Sequence, residues 1–146
     1  MKPGRVRPLA LCVFRKNDLI LVQEGYDAVK NQTFYRPLGG GIEFGEQSRD
    51  TAIREIREEL GAEITDVAYL GLLENIFTHM GEQGHEIVLL YTATLVDSSL
   101  YEKPELEVHE EGASLFLKAV WKPLAAFQSG ETPLYPTGLL ELLATP

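Results

Sequence analysis

A single cysteine, Cys12, stands in the 146 residues, so no intrachain disulfide can staple the fold. It lies in an apolar run, where cysteine behaves as a small buried hydrophobe. A reactive thiol needs a neighbouring histidine or a helix N-terminus, and the sequence offers neither. Long hydrophobic runs are also missing. The stretch 9–14 is too short for a signal-peptide core and far too short to span a bilayer. The expectation is a reducing, cytoplasmic setting with no membrane association. Basic charge is scarce as well: 13 Lys+Arg stand against 22 Asp+Glu, a net of −9. A polyanion binder needs a basic surface, so stable nucleic-acid binding is not expected. A phosphorylated small molecule remains compatible, because a cation can bridge acid to phosphate.

What is present is an ordinary globular composition. Hydrophobic residues make up 45% and charged residues 24%, which excludes disorder. No linker, repeat or low-complexity tract divides the chain, and its length suits one core. A single domain over residues 1–146 is expected. The charge is unevenly spread. Residues 1–36 carry a net of +4 and residues 37–146 a net of −13.

Alternating and continuous apolar patterns predict a strand over 6–14, a turn at Asn17-Asp18 and a second strand over 19–23. The stretch from Pro37 through Gly39, Gly40 and Gly41 reads as irregular. Residues 48–60 predict a helix, with Ala52, Ile53, Ile56 and Leu60 as its apolar stripe. Gln47 or Ser48 is the N-cap candidate, and Gly61 suits a left-handed end. A β-rich stretch over 64–79, a loop over 80–84 and a buried strand over 87–95 follow. Next come an acidic loop over 97–112, a strand over 114–121 and short helices over 123–128 and 137–144. This order predicts a mixed α/β fold with helices packed on a sheet.

Glu55, Glu58 and Glu59 fall at i, i+3 and i+4 and project toward one side of the predicted helix. Ile53, Ile56 and Leu60 are expected to face away from them. With no basic side chain among them, like-charge pairs cost a few tenths of a kcal/mol each. A hard divalent cation removes that cost, since oxygen donors are what Mg²⁺ prefers. The glycines before the helix can bring carbonyl oxygens to the same place. A charged helix face alone is more often just solvated. The longer pattern decides otherwise. Gly40, five residues, Glu46, seven residues, then Arg54, Glu55, Ile56, Arg57, Glu58, Glu59, Leu60, Gly61 and Ala62 sets seven identities at fixed spacing. Chance supplies that at roughly 10⁻⁶.

This segment resembles the Nudix box, and the chain resembles a Nudix hydrolase of the MutT-like kind. Two departures are visible. Ala62 replaces a larger closing aliphatic, and Pro37-Leu38 precedes the glycines where many members place proline directly before them. The resemblance implies the Nudix fold, an α/β/α sandwich with a mixed β-sheet. It implies hydrolysis of a pyrophosphate bond in a nucleotide or nucleotide derivative by water attack on phosphorus, with Mg²⁺, or Mn²⁺ in its place. Such transfer needs neutralised phosphoryl oxygens and a positioned water rather than covalent chemistry. Glu58 and Glu59 become the main metal ligands, and Glu55 a ligand or the general base. A carbonyl of Gly39 or Gly40 completes the set. Glu46 and Arg54 are expected to pair and brace the loop.

A further acid distant in sequence is implied, and Glu86, at the start of an apolar strand, is the first candidate. Glu110 and Glu111 are its rivals. Arg36 is the candidate phosphate contact, and Phe34 and Tyr35 are candidates to stack a base. Residues 72–80 lack the proline of ADP-ribose hydrolases and the tyrosine of dinucleoside-polyphosphate hydrolases. The coenzyme A and NADH motifs of the family are also missing, so the substrate class stays at a small nucleotide. A homodimer is left open. Two other readings stand beside the enzyme: a nucleotide-sensing module without turnover, and an isomerase, which would need a catalytic cysteine.

Overall fold

The computed structural model describes residues 4–109 and 118–144. Two sheets share the core. The first has the order β5 (Leu38–Gly41), β1 (Val6–Val13), β7 (Glu82–Leu95), β6 (Ile64–His79). Its centre is β1 (Val6–Val13), parallel to β7 (Glu82–Leu95), and both run nearly free of polar residues where they are covered on both faces. Leu9 through Val13 are all buried. The second sheet is antiparallel and built on β3 (Leu19–Asp27), with β2 (Arg15–Lys16), β4 (Gln32–Arg36), β8 (Glu105–Glu107) and β9 (Lys118–Pro123). Phe14 is the corner where the chain leaves the first sheet for the second, and its carbonyl accepts the Leu21 N–H.

The glycine run corrects one expectation. Leu38–Gly41 is a regular strand, β5, antiparallel to β1 with Leu11 opposite Gly39 and Ala10 opposite Gly40. β1 pairs the backbone groups on one side of this edge strand, and close approach to β1 and α1 is the reason for Gly39 and Gly40. A Cβ on Gly39 would stand 2.1 Å from the Ala10 carbonyl oxygen. The loop expected over 80–84 shrinks to a two-residue turn between β6 (Ile64–His79) and β7. Met80 and Gly81 both take positive φ there, as a hairpin turn matched to strand twist requires. The acidic loop holds a 3₁₀ turn over Ser98–Glu102 and the short strand β8. The expected strand over 114–121 appears as β9, with residues 114–117 outside the described ones.

Helix α1 spans Ser48–Leu60 and ends at Gly61 in the left-handed conformation (φ 64°), whose N–H caps the Arg57 carbonyl. Ile56 is fully buried between the sheets, against Cys12 and Leu38 of one and Leu21 and Ala119 of the other. Burying such a side chain contributes about 1.5–3 kcal/mol. On the far side of the first sheet, Leu9, Leu11 and Val13 meet Ile20, Val22, Tyr35, Phe127, Leu139 and Leu143. The last two come from α2 (Leu139–Ala144), and Phe127 from a 3₁₀ turn over Leu124–Phe127. No helix among the described residues is long and apolar enough to cross a membrane.

Candidate active site

The site begins where β5 delivers the chain to α1. Arg54 is its hub. It donates through Nε (2.8 Å) and Nη2 (2.9 Å) to the two oxygens of Glu46, and through Nη2 to the Gly41 carbonyl (3.1 Å). Thr51 Oγ1 donates to the same Glu46 carboxylate at 2.7 Å. The Arg54 hydrogen bonds, helped by Thr51, pull the Glu46 carboxyl down to about 2. In return Arg54 is held charged well above its ordinary value by Glu46. This bidentate pair ties the loop to the second turn of the helix.

The third nitrogen of Arg54 corrects the expectation that no basic side chain stands among the three glutamates. Nη1 lies 3.0 Å from Glu55 Oε1 and 3.3 Å from Glu58 Oε2. A positive group therefore already bridges two of the three carboxylates. Glu55 also lies flat against β5. A Cβ on Gly40 would sit 2.4 Å from its carboxyl carbon, so only glycine admits the carboxylate there.

The three glutamates do not share one environment either. Glu58 is the outermost, with its side chain 57% exposed. Glu59 is 3% exposed and sits on the buried side of α1 with Ala52 and Ile56. On a 3.6-residue helix, Glu59 stands closer in angle to Ile56 than Glu58 does, so the apolar stripe does not face away from it. Gln23 Nε2, from the middle of β3, donates to Glu59 Oε2 at 3.4 Å. The His109 N–H holds the Glu59 carbonyl at 2.8 Å.

β4 places its residues by alternation. Arg36 is directly opposite Gln23 and Phe34 opposite Gly25, so both face the side where Gln23 meets Glu59. Phe34 packs edge-on to His79 and Tyr135. Tyr35 takes the other face. It packs edge-on to Phe127 in the core and donates its hydroxyl to Glu24 at 3.3 Å. Glu86 is buried at the start of the covered part of β7, and its carboxylate lies 3.8 Å from Arg7 Nη1. Arg7 in turn reaches over Gly41, beside the loop that Arg54 braces. Glu110 and Glu111 lie outside the described residues. Cys12 is buried, and burial pushes its thiol up to about 12, which leaves no thiolate for isomerase chemistry.

Among the described residues, no three His, Cys, Asp or Glu side chains converge closely enough to hold a metal ion as they stand. The donor chemistry nonetheless fits a hard cation. The available atoms are carboxylate and carbonyl oxygens, and the guanidinium between Glu55 and Glu58 shows that the two carboxylates can share one positive charge. Gln23 and Arg7 were not singled out from the sequence. One faint signal existed for each: Gln23 is the polar residue ending the run LILVQ, and Arg7 is a charge two residues from a fully buried strand segment.

Comparison with known proteins places this geometry. A model of the NUDIX domain matches residues 5–137. A protein described as NAD-capped RNA hydrolase NudC, from Pseudomonas putida (strain W619), is 33% identical over 67 residues. That match covers 46% of this chain but only 24% of the relative. A MutT Nudix hydrolase from Burkholderia pseudomallei superposes with a TM-score of 0.68 at 19% identity, covering 98% of this chain and all of that one. A mutator MutT protein from Bacillus halodurans superposes at 0.60 with 19% identity, covering 94% and 80% of the two chains. At these identities the superpositions show the shared fold.

Proposed function

The chain belongs to the Nudix family, and from that premise we propose that it hydrolyses a pyrophosphate bond in a nucleoside di- or triphosphate, or in a nucleoside-diphosphate derivative, by water attack on phosphorus with Mg²⁺ as cofactor. Mn²⁺ is the alternative ion. The reading is carried by one observation: a complete box whose Glu55 carboxylate is laid against Gly40, with Glu58 and Glu59 on the following turn. Nudix hydrolases in general cleave pyrophosphate bonds with divalent cations.

Glu58 and Glu59 are assigned as the ligands, with Glu55 as a third ligand or the base and a carbonyl of Gly39 or Gly40 beside them. When bound, the cation neutralises the phosphoryl oxygens and lowers the pKa of attacking water. The chain's own residues do the rest. Arg54, spent on Glu46 and the Gly41 carbonyl, fixes the loop so that Glu55 stays on β5. Arg36 faces the same side as Gln23 and is placed to hold a phosphate, as a planar guanidinium does well. Phe34 offers an aromatic edge on that side, and Tyr35 supports β4 from the core. Glu86 is the distant acid, kept in place by Arg7, and takes a proton from the attacking water if Glu55 serves the cation. One catalytic domain over the whole chain, in a reducing cytoplasm, completes the proposal.

The substrate is a small molecule. A net charge of −9 disfavours a long polyanion such as an RNA chain. The deciding experiment measures phosphate and nucleotide release from a panel of nucleotides and nucleotide conjugates with Mg²⁺, with Glu58→Gln as control. Turnover that Glu58→Gln and chelation both abolish is the expected result. Ligand binding without turnover on any member would replace the enzyme with a sensing module.

A further inference from the structure

Gln23 is a fully buried amide in a strand segment otherwise made of Leu19, Ile20, Leu21 and Val22. An amide taken out of water costs about 1–3 kcal/mol unless hydrogen bonds replace its hydration. Its position in the sheet is specific. Ala119 of β9 is its partner on one side and Arg36 of β4 its partner on the other. Facing it from α1 is the buried carboxylate of Glu59, which accepts the Nε2 hydrogen bond.

The chemistry of this donor is informative. A buried carboxylate needs hydrogen-bond donors in place of the water it has lost. Lysine or arginine at position 23 would provide them, but would also cancel the charge and oppose a cation. A glutamine provides the donor and adds no positive charge. We infer that Gln23 is a positioning residue for Glu59: its neutral amide aims the buried carboxylate while bringing no positive charge to oppose a divalent cation. The inference rests on the reading of Glu59 as a ligand. Gln23 need touch neither cation nor nucleotide. By its place between Glu59 and Arg36, it also ties the ligand on the helix to the strand that carries the phosphate contact.

The test is a titration of the full chain with Mn²⁺, followed by loss of the free-ion EPR signal, with kcat and KM measured alongside. Gln23→Met keeps length and volume but removes the donor. It is expected to weaken Mn²⁺ binding and lower kcat by ~10-fold or more, the usual effect of losing a partner behind a ligand, while KM for the nucleotide holds. In a Glu59→Gln background, Gln23→Met should weaken Mn²⁺ binding no further. Wild-type Mn²⁺ affinity in a folded Gln23→Met protein overturns the inference, as does an equal loss in both backgrounds. If Glu59→Gln alone binds Mn²⁺ like wild type, the ligand reading fails and takes the inference with it. Should Gln23→Met not fold by circular dichroism, Gln23→Asn carries the test. Its amide is one methylene short of Glu59, and undiminished Mn²⁺ affinity there also overturns the inference.

Discussion

The two ends of helix α1 hold their carboxylates by opposite means. At the loop end Glu46 is gripped by a guanidinium, two nitrogens to two oxygens, with Thr51 adding a third bond. At the other end Glu59 is buried and meets a neutral amide. The first arrangement spends the negative charge and gains rigidity. The second adds no positive charge and gains aim. A carboxylate neutralised by arginine is a brace, and one held by glutamine stays available to a cation. Glu55 and Glu58 lie between these extremes, sharing the one remaining nitrogen of Arg54.

That contrast can be broken at either end, and the expected effects fall in order. Glu59→Gln removes the charge at the buried end. Steady-state turnover with Mg²⁺ should drop by more than the ~10–100-fold typical of residues behind a ligand. Gly40→Ala comes next. Its Cβ collides with the Glu55 carboxyl, the far end of a flexible side chain, so the carboxylate must swing off β5. Chemical denaturation should show a cost at or below the low end of the about 1–3 kcal/mol of overpacking, and activity should fall further than that loss of stability explains. Unchanged kcat in the folded variant would show that Glu55 need not lie on β5.

Glu46 sharpens the comparison through pH. Its folded-state pKa, about 2, lies below its ordinary value of 4.5. The stability it contributes is therefore fully present above the ordinary value and is lost as pH falls toward 2. Melting curves of wild type should decline through that window, and Glu46→Gln should remove part of the decline while lowering stability at neutral pH. The smallest effect is expected outside both ends. Arg57 pairs with Glu63 through two 2.8 Å bonds, but both side chains are more than half exposed. Arg57→Ala should leave turnover and melting temperature nearly unchanged, because solvent screens such pairs. A clear loss of activity there would assign Arg57 a part in the site.

Much of the frame was legible. The 48–60 helix shows in its apolar spacing, and its end shows in Gly61, the residue that adopts positive φ without strain. The turn at Asn17-Asp18 and the two core strands of the first sheet show in composition alone, while their parallel pairing shows only in the structure. The glycine run did not show as a strand, because a glycine's own preference is silent and its pairing was chosen by β1. β8 did not show, because three residues beside acidic neighbours carry no period. In the site, the box residues were legible as a spacing, while their environments were not. Helical spacing places Glu55, Glu58 and Glu59 on neighbouring turns, but burial of Glu59 and exposure of Glu58 depend on where the second sheet passes.

The amino-acid order alone therefore settled the box spacing and the family, because covalent spacing along a helix and strand is a local property. It also settled that an acidic chain with one thiol must rely on a noncovalent core. Which carboxylate is compensated was settled by contacts between segments far apart in the chain. Gln23 and Glu59 are 36 residues apart, and Arg7 and Glu86 come from different strands. Such pairs form because burying the apolar faces of two sheets around α1 brings polar atoms together, and each buried charge must then find a donor or stay open to a cation.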